Sequence, residues 1–184
     1  MPGFENDIAR ILFHEAAILR RLDELAEAIT AQYRGKELTL LAVLDGSLIF
    51  VADLLRRIPL PLKLDCISVA SYHGGLESTG TVVFEQISMP DVRGRHVLIV
   101  DDILDTGRTL DAIRRRLNAE AQPESVKICV LLRKNKARAT TVEADYAGFD
   151  IGDDFVVGYG LDYQGRYRNL PYVGVLAATA IKPL

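Results

Sequence analysis

Three short apolar runs constrain this chain most. Leu38–Leu44, His96–Val100 and Ile128–Leu132 are nearly unbroken by polar residues. A strand with one wet face alternates polar and apolar residues, whereas a strand covered on both faces reads as a continuous apolar run. Between the runs lie segments of helical periodicity. Residues 13–33 place Ile18, Leu22, Leu25 and Ile29 on one face and stop before Gly35; Leu48–Ile58 is closed by Pro59; Thr109–Glu120 turns Leu110, Ile113 and Leu117 inward. Buried strands separated by helices imply crossover connections. The expected fold is therefore α/β: an open, doubly wound, mostly parallel sheet with helices on both faces. Asp65–Ala70 and Thr81–Ile87 read as further strands, followed late in the chain by Asp145–Phe149, Phe155–Tyr159 and Tyr172–Ala177. Ser71–Thr81, with Gly74, Gly75 and Gly80, reads as a long loop, and long loops of this kind are often functional.

Composition limits the function classes. A length of 184 residues suits one domain, at about 150 residues per domain. Hydrophobic residues make up 49% and charged residues 26%, which excludes disorder as the main state. The net charge of -3 argues against nucleic acid and anionic membrane as partners. No apolar run approaches the roughly 18 residues of a membrane span. Met1–Arg10 carries Glu5 and Asp7 and lacks the apolar stretch of a signal peptide, so the expected location is cytoplasmic. Cys66 and Cys129 sit in apolar runs and are expected as buried thiols in a reducing compartment. His14, His73 and His96 have no metal-like spacing, and Arg114–Arg116 reads as a solvated helix face.

The chemistry concentrates in Val97-Leu98-Ile99-Val100-Asp101-Asp102-Ile103-Leu104-Asp105-Thr106-Gly107-Arg108-Thr109-Leu110. An apolar strand ends in two carboxylates, and a turn of Asp105, Thr106 and Gly107 then opens a helix near Thr109. Free amides and a positive dipole end at a helix N-terminus suit phosphate. The adjacent acids suit sugar hydroxyls, which donate to carboxylates, or a bound Mg²⁺. Phosphate beside ribose means a sugar phosphate. An acidic turn after a buried strand is the bland alternative, and the added Asp-Thr-Gly-x-Thr weighs against it. A Walker-type nucleotide-binding loop is absent from the chain. A phospho-accepting signalling domain would carry its acid pair on the first strand.

This segment resembles the phosphoribosyl pyrophosphate-binding motif of type I phosphoribosyltransferases. Other blocks narrow the resemblance to the hypoxanthine–guanine phosphoribosyltransferases. Val43–Leu54, with Leu44-Asp45-Gly46-Ser47, resembles their pyrophosphate loop and the helix after it. Ser71-Tyr72-His73-Gly74-Gly75 resembles the start of their mobile active-site loop. Leu131-Leu132-Arg133-Lys134 resembles the strand ending in their purine-reading lysine. Phe155–Tyr163 and Tyr167–Tyr172 are similar to their C-terminal signature. The blocks run in family order from about residue 38 to 176.

The resemblance implies one phosphoribosyltransferase domain over 1–184, with a small strand-and-loop hood. It implies transfer between 5-phosphoribosyl-1-pyrophosphate and hypoxanthine or guanine, giving IMP or GMP in purine salvage. Asp101 and Asp102 would hold the ribose hydroxyls. Asp105 would exchange a proton with the purine, and Asp105, Thr106, Gly107, Arg108 and Thr109 would wrap the 5′-phosphate. Asp45, Gly46 and Ser47 would meet pyrophosphate through backbone amides, and Arg168 through its guanidinium. Lys134 would donate to the purine 6-oxygen, with Phe155 stacked on the base and Val156 and Ile103 beside it. Asp162, with Asp101 and Asp102, would ligate Mg²⁺, and Ser71 and Tyr72 would close over the site. The family also implies a homodimer or homotetramer and a non-proline cis peptide in the pyrophosphate loop.

Taken singly, several of these residues have plainer readings. Lys134 suits a solvated strand end, Phe155 plain core, and Asp162 with Arg168 a surface ion pair worth under about 1 kcal/mol. A xanthine-preferring transferase, a nucleotide-sensing RNA-binding regulator and a non-catalytic nucleotide-binding module are the alternatives on the same scaffold. The net charge opposes the regulator. Two departures stand out: Asp45 replaces the family's usual lysine or arginine, and Asp101 replaces the commoner glutamate.

Overall fold

In the computed structural model the chain forms a six-stranded sheet with helices on both sides and a smaller three-stranded sheet. The structure describes Phe4 and residues 6–71, 82–85 and 88–181. The strands are β1 (Ile8–Phe13), β2 (Leu38–Leu44), β3 (Leu62–Ser71), β4 (Val82–Phe84), β5 (His96–Leu104), β6 (Ser125–Lys134), β7 (Tyr146–Ile151), β8 (Val156–Val157) and β9 (Val173–Leu176). The helices are α1 (Glu15–Tyr33), α2 (Leu48–Leu55) and α3 (Arg108–Glu120). In the large sheet the order is β4-β3-β2-β5-β6-β7. Strands β3, β2, β5, β6 and β7 run parallel, and β4 pairs antiparallel at the edge. Helices on both faces of a mostly parallel sheet match the expected α/β architecture.

Side-chain alternation explains why both faces are dry. Leu38, Leu40 and Ala42 of β2, Leu98 and Val100 of β5, and Cys129 and Leu131 of β6 pack with α1 and α2. Their neighbours Leu41, Val43, Val97, Ile99, Ile128 and Val130 pack against Leu110, Ile113 and Leu117 of α3. Each fully buried Leu or Ile contributes about 1.5–3 kcal/mol, so these layers hold the frame. No helix among the described residues is long and apolar enough to cross a membrane.

The small sheet, in the order β1-β9-β8, holds a satellite core of Val157, Tyr167 and Leu176. Its strand β1 went unforeseen. Register shifts between Ile8 and Arg10 and between Ile11 and Phe13 break the alternation that betrays a strand. Phe13 stacks on Phe149 of β7, with ring centroids 4.0 Å apart, and joins the two sheets.

Other boundaries differ from the sequence reading. The first helix begins at Glu15, and the second ends at Leu55 rather than Ile58. The third begins at Arg108, and β3 and β6 are longer than expected. Strand β5 runs on to Leu104, so Asp101 and Asp102 lie within the strand and only Asp105 lies in the turn. Strand β8 keeps only Val156 and Val157 of the expected Phe155–Tyr159. Cys129 is buried, but Cys66 is exposed, contrary to expectation. It shares a side of β3 with Leu64, itself 47% exposed, where no described helix covers the strand. Of the expected strand Thr81–Ile87, residues 82–84 form β4; Thr81, Gln86 and Ile87 lie outside the described residues. Of the expected loop Ser71–Thr81, Ser71 instead ends β3, and the rest lies outside the described residues.

Candidate active site

The sheet reverses its winding between β2 and β5. From β2 the chain passes through α2 to β3 on one side; from β5 it passes through α3 to β6 on the other. In open α/β sheets ligands bind at such a switch point, beyond the carboxyl ends of the strands. Pairing of β2 with β5 stops at Ala42 and Val100, while β5 stays paired to β6 as far as Leu104 with Arg133. A crevice therefore opens where Asp101 and Asp102 begin.

Asp101 is 8% exposed, and its Oδ1 accepts the Asp102 amide at 3.0 Å. Burial pushes its carboxyl well above the usual carboxylate range, and the neighbouring Asp102 pushes it further. Burial raises Asp102 as well, opposed by hydrogen bonds and by the positive charge of Arg168. Two adjacent buried acids repel each other, and a cation or hydroxyl donors relieve them. Among the described residues no group of three His, Cys, Asp or Glu side chains forms a metal cage. A cation here would draw its remaining ligands from an anionic substrate and water, which suits Mg²⁺.

After β2 the Leu44–Asp45 peptide is cis. Ser47 is fully buried, and its Oγ donates to Val43 O at 2.6 Å, which ties the turn. Asp45 is exposed; its carbonyl accepts the Leu48 amide, and its carboxylate has no ion-pair partner among the described residues. Gly46 lies directly against Asp102: a Cβ at Gly46 would overlap Asp102 Oδ2 and lie 2.8 Å from its Cγ. The backbone of the turn thereby reaches the acids, which only glycine permits.

After β5 the chain turns through Asp105, Thr106 and Gly107 into α3. Gly107 caps the helix at φ 79°, a left-handed conformation, and the Thr106 hydroxyl accepts the Arg108 amide at 3.5 Å. Thr106 O accepts the Ala139 amide at 3.2 Å, which braces the turn against the loop after β6. The first turn of α3, with Arg108 and Thr109, presents backbone amides and a positive dipole end, a ready anion site.

Lys134 ends β6 and is 7% exposed. Its Nζ lies 3.2 Å from Asp105 Oδ2 and 3.0 Å from Asp153 Oδ1. Lys136 Nζ lies 2.6 Å from Asp105 Oδ1 and 2.8 Å from the same Asp153 oxygen. Sequence reading missed Lys136 and Asp153. Lys136 was findable in principle, because residues two apart at a strand end share a side. Asp153 had no such signal, since it comes from the link between β7 and β8.

The segment 155–168 closes the other side. Phe155 is half-buried, edge-on to Tyr163 with ring centroids 5.6 Å apart. Val156 is buried in β8, and Ile103 packs on the main core. Arg168 donates to Gly160 O at 2.7 Å and pairs with Asp162 Oδ1 at 2.8 Å. Asp162 Oδ2 accepts the Gly165 amide at 2.7 Å. Tyr159 OH donates to Asp53 Oδ2 at 2.6 Å, anchoring this segment to α2. The fold thus brings Gly46, Asp102 and Arg168 together on one side, and Asp105 and Lys134 together on the other. Ser71 ends β3, and Tyr72 lies outside the described residues.

The chain is similar to known proteins over nearly its whole length. Residues 10–164 match the family model described as phosphoribosyl transferase domain. The hypoxanthine-guanine phosphoribosyltransferase of Streptococcus pneumoniae (strain ATCC BAA-255 / R6) is 45% identical over 94% of this chain and 95% of that protein. The Mycobacterium avium protein of the same name is 44% identical over 94% of this chain and 88% of its own. A crystal structure of a hypoxanthine phosphoribosyltransferase from Staphylococcus aureus superposes with a TM-score of 0.92 at 41% identity, covering all of both chains.

Proposed function

The chain belongs to the phosphoribosyl transferase domain family, and from that premise we propose that it transfers the 5-phosphoribosyl group of 5-phosphoribosyl-1-pyrophosphate to hypoxanthine or guanine. The products are IMP or GMP and pyrophosphate, and the role is purine salvage. One observation carries the reading: at the carboxyl edge of the sheet, Lys134 and Asp105 stand 3.2 Å apart beside the crevice that holds Asp101 and Asp102.

Each group has a task that its chemistry suits. Asp101 and Asp102 accept the ribose 2- and 3-hydroxyls. The backbone amides from Thr106 to Thr109 take the 5′-phosphate. The backbone of Asp45, Gly46 and Ser47 meets pyrophosphate, and Arg168 adds a bidentate cation. Lys134, which can only donate, marks a 6-oxo purine. Phe155 stacks on the base, with Val156 and Ile103 at its edge. The glycosidic carbon parts from pyrophosphate with oxocarbenium character, and the nearby carboxylates stabilise the positive charge. Asp105 then accepts the proton that the purine ring nitrogen loses as the new bond forms. Asp101 and Asp102, with Asp162 reached through water, would hold a Mg²⁺ whose other ligands come from pyrophosphate and water; the ion would neutralise the leaving pyrophosphate.

The reading extends to a single domain spanning the chain, a homodimer or homotetramer, a cytoplasmic location and closure by Ser71 and Tyr72. Pyrophosphate release measured with hypoxanthine, guanine, xanthine and adenine in turn tests it. Hypoxanthine and guanine are the expected substrates. Efficient AMP formation overturns the role of Lys134, and no release with any base overturns the function.

A further inference from the structure

Asp105 is held from both sides. Lys136 meets Oδ1 at 2.6 Å and Lys134 meets Oδ2 at 3.2 Å, while Asp153 Oδ1 accepts both ammonium groups. Two cations and two carboxylates thus alternate in a closed ring beside the proposed purine site. From this ring we propose that Lys136 is a positioning residue for the transfer: it keeps the Asp105 carboxylate in place and stays paired with both Asp105 and Asp153 when Lys134 turns to the purine oxygen. The inference rests on the proposed reaction.

Charge balance is the reason. Lys134 alone would face two carboxylates and a purine oxygen at once. Each turn towards the base would leave the two acids facing each other without a cation. With Lys136 present, both acids keep a partner, and Lys134 is released to read the base. The electrostatics of the ring agree. Asp153 is held below the usual carboxylate range by its hydrogen bonds to Lys136 and then Lys134. Burial works against the Lys136 charge, yet its ion pair with Asp105 and its hydrogen bond to Asp153 prevail and raise its basicity. Among the described residues the charged groups facing Asp105 are Lys134 and Lys136, from the end of β6 and the loop after it. Asp153 faces the same ammonium groups from the link after β7, and Arg138 sits behind, on the Lys134 carbonyl. An exposed ion pair of ordinary kind would contribute nothing to catalysis, and that is the competing outcome.

The test uses the full-length enzyme and the variants Lys136→Gln and Lys136→Arg. For each, kcat and KM for hypoxanthine are measured at saturating donor, and KM for the donor at saturating hypoxanthine. In Lys136→Gln the hypoxanthine KM rises about tenfold as Lys134 stays drawn to the acids, while the donor KM changes less than about twofold. Lys136→Arg restores the hypoxanthine KM because the charge is restored. An active wild type whose hypoxanthine KM is unchanged in Lys136→Gln overturns the inference alone. A wild type that forms no IMP or GMP overturns the proposed reaction and this inference with it.

Discussion

Replacing Gly46 by alanine tests the closest approach in the crevice. A Cβ there would overlap Asp102 Oδ2 and lie 2.8 Å from its Cγ, tighter than real Cβ atoms sit. The carboxylate, or the turn itself, must retreat by about 1 Å. The turn cannot retreat freely, because the buried Ser47 hydroxyl ties it to Val43 O at 2.6 Å and Gly160 lies against the Gly46 carbonyl. Asp102 therefore yields, and its oxygen leaves the position from which it meets the ribose hydroxyls. A misplacement of about 1 Å at a reacting centre costs about 10²-fold, or roughly 2.7 kcal/mol of transition-state stabilisation. The overpacking itself costs folding stability of about 1–3 kcal/mol, less if Asp102 simply swings aside. Initial rates at varied donor, with thermal unfolding of the same samples, separate the two effects. The expected result is a hundredfold fall in kcat/KM for 5-phosphoribosyl-1-pyrophosphate in a protein that still unfolds cooperatively. A Gly46→Ala enzyme within threefold of wild type would refute the account of the crevice.

Three further outcomes follow from the site. Asp105→Asn lowers kcat by about 10²–10⁴-fold while the donor Kd stays within a few-fold, since the amide keeps the shape but accepts no proton; pre-steady-state rates and equilibrium binding separate the two. Asp101→Asn stabilises the fold at neutral pH while abolishing efficient transfer. The Asp101 carboxyl is raised above its ordinary value of 3.8, so the folded state binds its proton more tightly than the unfolded chain does. Its contribution to stability is greatest below that ordinary value and is lost as pH rises to the folded value. The variant's Tm therefore exceeds that of wild type at pH 7.5 in EDTA. The gap closes towards pH 4, and a constant gap would contradict the cause assigned. Asp45→Lys changes the donor KM by no more than about threefold, because the Asp45 side chain is exposed and water screens it; a hundredfold fall in KM would place the side chain on the pyrophosphate.

What the sequence determined on its own is the frame and its charged edge. Leu38–Leu44, Val97–Val100 and Ile128–Leu132 are apolar at nearly every consecutive position, Thr39 being the exception, and only a strand buried on both faces uses both sets of side chains. That pattern is local, so it is legible without the fold, as are Leu110, Ile113 and Leu117 facing inward from one helix. The order apolar strand, acid pair, glycine turn and helix likewise puts Asp101, Asp102, Asp105 and Gly107 in one short stretch, where chain connectivity alone keeps them together. Tertiary structure decided the rest. Strand β1 has a bulged, half-exposed pattern and exists because β9 pairs with it. Cys66 lies in an apolar run yet is exposed, because what covers a strand is decided by its neighbours and not by its own residues. The ring of Lys134, Lys136, Asp105 and Asp153 joins three separate connections, with Lys134 and Asp153 19 positions apart. Such contacts depend on the register of β5, β6 and β7, and a charged residue after a strand looks the same in sequence whether it meets water or another charge.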